Sequence, residues 1–140
     1  MKLDVLRRYR AQLEEVVRMD LYRLRQKLQD AEARSHRLNE QMKLTTEAYL
    51  TKADRGVALD EFLVWQSTMT AETSDLAAAM HVEGKLREAW NQKQDELREV
   101  MQDRRILDHL AERIRQQHRR LQSRIDQMEM DEVARRASVM

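Results

Sequence analysis

Residues 62–128 read FLVWQSTMTAETSDLAAAMHVEGKLREAWNQKQDELREVMQDRRILDHLAERIRQQHRRLQSRIDQM. Counted in alternating steps of three and four residues, the positions from Phe62 and Trp65 to Ile125 and Met128 carry mostly apolar side chains. The polar exceptions stand singly: Glu72, Glu83, Lys93, Arg104 and His118. This repeat predicts one long helix with a coiled-coil face. Because such a face is too narrow for a globular core and too apolar to leave in water, a helical partner is expected to cover it.

A second long helix is predicted from Lys2 to about Ala53. It opens with a short apolar repeat at Leu6, Tyr9, Leu13 and Val16. The register then skips about one residue, which should alter the supercoil without ending the helix. The repeat resumes at Val17, Leu21, Leu24, Leu28, Ala31, Ser35, Leu38, Met42, Thr45 and Tyr49.

A chain reversal is predicted between these helices. Gly56 can adopt the left-handed conformation that closes a helix. Asp60 is the predicted N-cap of the second helix, with Leu59 and Val64 as its hydrophobic staple. Thr, Ser and Asp crowd residues 67–75 and favour a second break, but the heptad repeat runs through them, so we expect weak but continuous helix there.

The predicted fold class is all-α, a long antiparallel two-helix coiled-coil hairpin. The expected boundaries within a single domain of residues 1–140 are helix 1 at about 2–53, hairpin at about 54–60, helix 2 at about 61–134 and a frayed tail to 140. At a rise of 1.5 Å per residue the helices are about 75 and 110 Å long, so the first reaches only to the neighbourhood of Leu110. The remaining residues should carry an uncovered stripe of Ile114, Leu121, Ile125 and Met128.

Composition agrees with long helices and excludes several classes of protein. Of 140 residues, 36% are charged, two are glycine and none is proline, so the chain has few points at which to reverse. The formal net charge of +1 creates no overall field toward nucleic acid or an anionic membrane. No apolar run approaches the roughly 18 residues of a membrane span, and there is no cysteine. These features predict a cytosolic protein.

No pattern of residues predicts an enzyme, a cofactor or a metal site. A two-helix protein has no pocket of its own, and the sequence contains no Gly-rich phosphate loop, nucleophile elbow or HExxH motif. Its four histidines never pair at the i, i+4 spacing of a helical metal site. We therefore expect no catalytic, cofactor-binding or metal-binding residues.

The arginine-rich stretch 113–124 contains no acidic residue. A solvated helix face is its first interpretation, an acidic protein surface its second and nucleic acid its third, because no aromatic residues interleave for base stacking. Trp65 and Trp90 both lie on the coiled-coil face. Each is either buried against the first helix or partly exposed as a partner contact.

The C-terminal residues 124–137, RIDQMEMDEVARRA, resemble the terminal signature of the FliJ family, which runs Asp-Gln, two variable residues, then Met-Asp-Glu-x-Ala. The aromatic residues Phe62 and Trp90, the chain length and the single central break also resemble that family. The resemblance implies an antiparallel two-helix coiled coil of the flagellar type III export apparatus. It further implies a cytoplasmic location, peripheral at the inner face of the bacterial cell membrane.

The same resemblance implies three partners: the export ATPase FliI, the cytoplasmic part of the export gate FlhA, and export chaperones. The implied docking residues for the ATPase are Leu6, Leu13, Ile125, Gln127, Met128, Met130, Asp131, Glu132 and Ala134. The implied gate and partner surface is Phe62, Gln66, Met69, Thr73 and Trp90. The family carries Leu, Ala and His at the positions of Gln66, Met69 and Thr73, so this surface departs from the family pattern.

Two other functions compete with an export stalk. The equivalent stalk of a virulence-type injectisome would share the fold but lack the Met-Asp-Glu-x-Ala tail. A structural scaffold would be a parallel dimer in which two chains pair along residues 62–128. The central break at Gly56 and the matching repeat on the first helix argue against that dimer, and nucleic-acid binding ranks third.

Overall fold

The computed structural model describes residues 2–139, which form two helices. The first, α1, spans Lys2–Ala53, and the second, α2, spans Leu59–Val139. No strand is present among these residues, so the predicted all-α class and helical hairpin are confirmed. Neither helix is long and apolar enough, within the described part of the chain, to cross a membrane.

The turn between the helices is built around Gly56. Its φ of 91° is the one positive φ among the described residues, and its N–H donates to the carbonyl of Ala53 over 3.1 Å. Before it, the N–H of Arg55 donates to the carbonyl of Lys52, which tightens the last turn of α1. The predicted role of Gly56 in closing α1 is confirmed, because a side chain at this φ is strained.

The start of α2 differs from the prediction. The carbonyl of Ala58 accepts the first helical hydrogen bond, from Phe62 over 2.9 Å, which makes Ala58 the N-cap and corrects the assignment of Asp60. Asp60 lies in the first turn, where its charge stabilises the positive end of the helix. Leu59 and Val64 are both exposed, so the predicted staple does not form.

The crowded stretch 67–75 stays helical, as predicted. The hydroxyls of Thr68, Thr70 and Thr73 each donate to the carbonyl four residues earlier, over 3.0, 2.8 and 2.8 Å. These bonds satisfy the hydroxyls on the helix itself. Competition from the side chains therefore does not break α2.

At its C-terminus α2 runs to Val139 rather than fraying from about residue 134. Arg136 pairs with Glu132 over 3.0 Å at i, i+4 spacing, and the Ser138 hydroxyl donates to the carbonyl of Arg135. The last residues contain no Gly or Pro to stop the helix.

The helix pairing divides into two compact units. The loop unit comprises Val16–Leu97, and the terminal unit comprises the described residues 2–15 and 98–139. In each unit, residues with higher numbers on α1 pair with residues with lower numbers on α2, so the pairing is antiparallel. In the loop unit Asp20 pairs with Lys93 and Glu32 with Arg87; in the terminal unit Arg7 pairs with Asp108 and Glu14 with Arg104. The single-domain assignment stays a prediction.

The predicted face of α2 is the packed one. Ala79, Val100 and Ala111 are buried, and the remaining apolar positions of the repeat from Trp65 to Ile114 are half-buried. Three of the five polar exceptions find partners on α1, whereas Glu83 pairs with Arg87 on α2 itself over 3.2 Å and His118 is exposed. Glu72 accepts a hydrogen bond from the Thr45 hydroxyl over 2.8 Å, and Lys93 and Arg104 form ion pairs with Asp20 and Glu14.

The predicted register skip near the start of α1 is wrong. Tyr9 and Val16 are exposed, and the packed face runs without interruption through Leu3, Arg7, Arg10, Glu14 and Val17. Three of these five positions are charged, which is why an apolar count misses them. The repeat Leu6, Tyr9, Leu13 and Val16 lies beside the packed face.

Candidate functional site

The C-terminal segment, residues 115–139, is a helix whose side chains are all exposed. Leu121, Ile125 and Met128 continue the packed repeat of α2, yet their exposed fractions are 56%, 43% and 69%. This apolar stripe is the largest departure from the pattern of burial seen earlier on α2. A helix keeps such residues in water at a cost unless a partner covers them.

The stripe on α2 begins just beyond the residues that face the N-terminal end of α1. Ala111 is buried and Ile114 half-buried, and a shallow groove brings Leu3 and Asp4 close to both. The uncovered region therefore starts after Ile114, slightly later than the length estimate of Leu110 predicts. Ile114 belongs to the covered part, which corrects its assignment to the exposed stripe.

The predicted ATPase-docking residues of the tail divide between two faces. Ile125 and Met128 lie on the stripe. Met130 and Ala134 line a shallow groove on another side of the helix, together with Asp126, Glu129, Val133 and Ala137. The polar candidates stay within the helix: Gln127 donates to Asp131 over 3.1 Å, and Glu132 accepts from Arg136 over 3.0 Å.

The predicted ATPase-docking residues of α1, Leu6 and Leu13, belong to the terminal unit, as does the C-terminal segment. Leu6 is exposed and Leu13 half-buried. Val5, Tyr9 and Val16 are exposed nearby on the same helix. This part of α1 thus carries an apolar surface that the packing with α2 does not use, and its role in docking stays a prediction.

A cluster of ion pairs holds the two helices of the terminal unit together. Arg104 Nη1 lies 2.6 Å from Glu14 Oε2, and Glu14 is 5% exposed. Arg7 contacts Asp108 Oδ1 through Nη2 at 3.0 Å and Nε at 3.1 Å, so two donors share one carboxylate oxygen. Arg10 Nη1 lies 3.3 Å from Asp103 Oδ2.

Sequence reasoning missed this cluster. The one sequence pattern that could have predicted it is the heptad spacing, because steps of three and four residues backward from Val17 reach Glu14, Arg10 and Arg7. Their partners on α2 lie 90 to 101 residues away, so no local pattern links them.

A groove in the loop unit gathers most of the predicted gate surface. Phe62, Gln66, Met69 and Thr73 line it, and Tyr49 of α1 completes it with Thr70, Ser74 and Ala77. The Tyr49 ring centroid lies 6.5 Å from that of Phe62 and 5.9 Å from that of Trp65. Sequence reasoning placed Tyr49 on the packed face of α1 but not in this groove.

Trp90 does not line that groove. It is half-buried, and its indole Nε1 is buried without a hydrogen-bond partner among residues 2–139. The structure therefore brings four of the five predicted gate residues together and leaves Trp90 at a different level of α2.

Charged side chains on α2 are mostly held by neighbours on the same helix or on α1. The hydrogen bond from Lys93 to Glu96, with the nearby charges of Glu96 and Asp20, raises the pKa of Lys93 against the opposing effect of desolvation. In the arginine-rich stretch, Arg115 approaches Glu112 at 3.7 Å. Arg119, Arg120 and Arg124 have no ion-pair partner within the described chain.

Chemically, these surfaces can bind protein. The stripe and the groove offer exposed Leu, Ile, Met and aromatic side chains rimmed by charge, the composition of a protein interface. Among residues 2–139 no group of three or more His, Cys, Asp or Glu side chains is placed to hold a metal ion.

Comparison with known families gives one match. A family model described as "Flagellar FliJ protein" matches residues 1–139. Searches of curated proteins and of solved structures returned no match.

Proposed function

The chain belongs to the FliJ family and is therefore a component of the flagellar export apparatus, and from that premise we propose that it is the stalk of the export ATPase FliI. Its C-terminal segment docks in the ATPase ring and promotes ring assembly. The observation that carries this proposal is the exposed stripe of Leu121, Ile125 and Met128, which continues a packed repeat without a partner.

The composition of the stripe supports docking rather than solvation. Met128 on the stripe has a flexible, polarizable side chain that adapts to irregular surfaces, and so does Met130 on the neighbouring face. Ile125 and Leu121 supply apolar area at the centre of the segment, and charged residues surround them. Covering three such side chains stabilises a complex by about 1.5–3 kcal/mol for each one that is fully buried.

The groove around Phe62 is the proposed contact with the export gate FlhA. It combines aromatic and thioether side chains with the hydroxyls of Thr70, Thr73 and Ser74 at its edge. An apolar floor with a few polar groups suits recognition of a protein segment. Docking at the tail and contact at the groove would link the ATPase to the gate through one chain.

The same family membership supports two further proposals. The protein escorts export chaperones, and it works in the cytoplasm, held peripherally at the inner face of the membrane through the export apparatus. It acts by binding, without chemistry of its own.

The alternatives receive less support. Pairing of two parallel chains along residues 62–128 would require removing α1 from the face between Trp65 and Ile114 that it already covers. An injectisome stalk would share the hairpin, but the family match is to a flagellar protein.

The test is stimulation of ATP hydrolysis and ring formation by the export ATPase of the same source. The double variant Met128→Asp, Met130→Asp should stay helical and lose stimulation, because two charges enter the docking surface. The matched control is Met80→Asp, Val82→Asp, which changes two exposed residues at the same spacing in the loop unit and should keep stimulation. Full stimulation by the tail variant would overturn the docking assignment.

A further inference from the structure

We infer that α2 carries a docking row for an acidic amphipathic helix of another protein, on a side of α2 that neither α1 nor the apolar stripe occupies. The basic row, as we call it, repeats in steps of four and three residues: Ile106, Leu110, Arg113, Gln117, Arg120 and Arg124. This spacing places all six side chains on one face of a helix, about a quarter of a turn from the stripe. Binding to the row is therefore independent of the proposed docking of the ATPase.

The basic row is open to a partner along its whole length. All six of its residues are exposed, and Ile106 and Leu110 have exposed fractions of 64% and 44%. Their neighbours on the packed face differ, since Leu107 is half-buried and Ala111 is buried. Packing against α1 thus leaves an apolar pair uncovered on another side of α2.

The charges of the row are all positive and have no counter-charge. Two carboxylates lie within this stretch of sequence, Asp108 and Glu112, and other arginines approach them at 3.0 and 3.7 Å. No acidic residue stands three or four positions from Arg113, Arg120 or Arg124, and none of these arginines has an ion-pair partner within residues 2–139. Three unpaired guanidinium groups are therefore aligned over about 16 Å of helix.

The order of residues along the row determines the chemistry of the partner. An apolar pair followed by three arginines fits a helix that presents two apolar side chains and, beyond them, carboxylates at matching spacing. Arginine suits such a partner because its planar guanidinium can donate two parallel hydrogen bonds to one carboxylate. Gln117 stands between the arginines and can donate to the same partner.

The row does not suit a nucleic acid. Glu99 and Asp131 lie on the same face beyond its two ends, so a long chain of phosphates would meet carboxylates on both sides. No aromatic side chain stands in the row for base stacking. The basic part covers about three helical turns, which matches a short acidic helix.

Fluorescence anisotropy with synthetic peptides tests the fit to the full chain. The probe is a labelled helical peptide of about 20 residues, with two leucines spaced like the apolar pair and three glutamates spaced like the arginines. It is made in both sequence directions. One direction should bind, and the same peptide with lysine in place of glutamate should not, because its charges would be repelled.

Two pairs of arginines with the same four-residue spacing provide matched variants. R120E/R124E should weaken peptide binding by about tenfold or more, because attractive contacts become repulsive. R115E/R119E makes the same charge change on the other side of the stripe and should change binding by less than about twofold. Circular dichroism should show unchanged helicity in both variants. Failure of both peptide directions, equal binding of the lysine peptide, or equal losses in the two variants would overturn the inference.

Photo-crosslinking in cells of the same source tests whether such a partner exists. A photoreactive residue at Gln117 should capture a protein through an acidic amphipathic segment, and one at Gln122, on the other side of the stripe, should not. R120E/R124E should abolish the adduct and R115E/R119E should preserve it. No adduct, an adduct that survives R120E/R124E, or an adduct with nucleic acid or a second copy of this chain would overturn the inference. Capture of the export ATPase at Gln117 would also overturn it, whereas failure of the ATPase to dock on the stripe would refute only the proposed function.

Discussion

The loop unit and the terminal unit pair the same two helices by different interactions. In the loop unit apolar and aromatic packing predominates beside the two ion pairs given above: Val17 is 1% exposed, Leu28 and Ala79 are buried, and Tyr49 packs on Trp65. In the terminal unit the positions of α1 that face α2 include Arg7, Arg10 and Glu14, held by ion pairs. The helices are therefore held mainly by apolar packing in the loop unit and by ion pairs at these α1 positions in the terminal unit.

The difference has a consequence for local stability. Burial of apolar area stabilises at about 25 cal/mol per Å², whereas a partly exposed ion pair contributes about 0–1 kcal/mol and is screened by salt. Helix pairing in the terminal unit should therefore open more readily than in the loop unit. The proposed docking segment belongs to the terminal unit, and elements that bind partners are often drawn from regions of low local stability.

The largest expected effect comes from neighbouring valines at the start of the loop unit. Val17→Asp places a carboxylate at a position that is 1% exposed and should lower the free energy of unfolding by about 3–5 kcal/mol. Val16→Asp changes a residue that is 54% exposed and should cost less than about 0.5 kcal/mol. Urea denaturation followed by circular dichroism measures both. Equal losses of unfolding free energy in the two variants would mean that Val16 is packed as well as Val17, as the predicted register skip requires.

A smaller effect is expected in the terminal unit. Arg104→Ala removes the guanidinium 2.6 Å from the buried Glu14 carboxylate and should cost about 1–3 kcal/mol. Arg105→Ala changes an exposed neighbour and serves as the matched control. Hydrogen exchange should show faster opening of residues 2–15 in the first variant and unchanged exchange in residues 17–50. In the wild type and in both variants, residues 17–50 should exchange more slowly than residues 2–15. Faster exchange in residues 17–50 would contradict the claim that the terminal unit is the less stable of the two.

The smallest effect concerns an ion pair in the loop unit. Lys93→Met removes the contacts with Glu96 and Asp20, at 3.0 and 3.5 Å, and should cost less than about 1 kcal/mol. Its hydrogen bond to Glu96 raises the pKa of Lys93 above the ordinary value of 10.5, so the stabilisation is complete below that value and is lost as pH rises through the folded pKa. Urea denaturation from pH 7 to 11 should show a difference between wild type and variant that is constant up to about pH 10 and begins to shrink only above it. A difference that disappears near neutral pH would contradict this assignment.

Sequence reasoning predicted the parts of the fold that depend on periodicity. The repeat from Trp65 to Ile114 and the left-handed glycine at residue 56 are both confirmed, because apolar spacing and backbone sterics are local properties. The packed face of α1 before Val17 escaped prediction, because charged side chains occupy it and their partners lie on the other helix. The N-cap at Ala58 escaped for a related reason, since its identity depends on where the turn ends.

The candidate surfaces also divide into features that local spacing predicts and features that depend on the other helix or on the helix face. Four predicted gate residues line one groove because their spacing of three and four residues places them on one face of α2. Tyr49 joins that groove only through the antiparallel register of the helices. The tail residues were predicted as one site by family resemblance, whereas the helix distributes Met128 and Met130 to different faces.

Hydrogen exchange of the full chain with and without the export ATPase tests whether the C-terminal segment is the docking surface. We expect slower exchange in residues 118–134 when the ATPase is added, with unchanged exchange around the groove at residues 62–77. Protection of the groove without protection of the C-terminal segment would contradict it. In that case the exposed stripe would not be the docking surface for the ATPase.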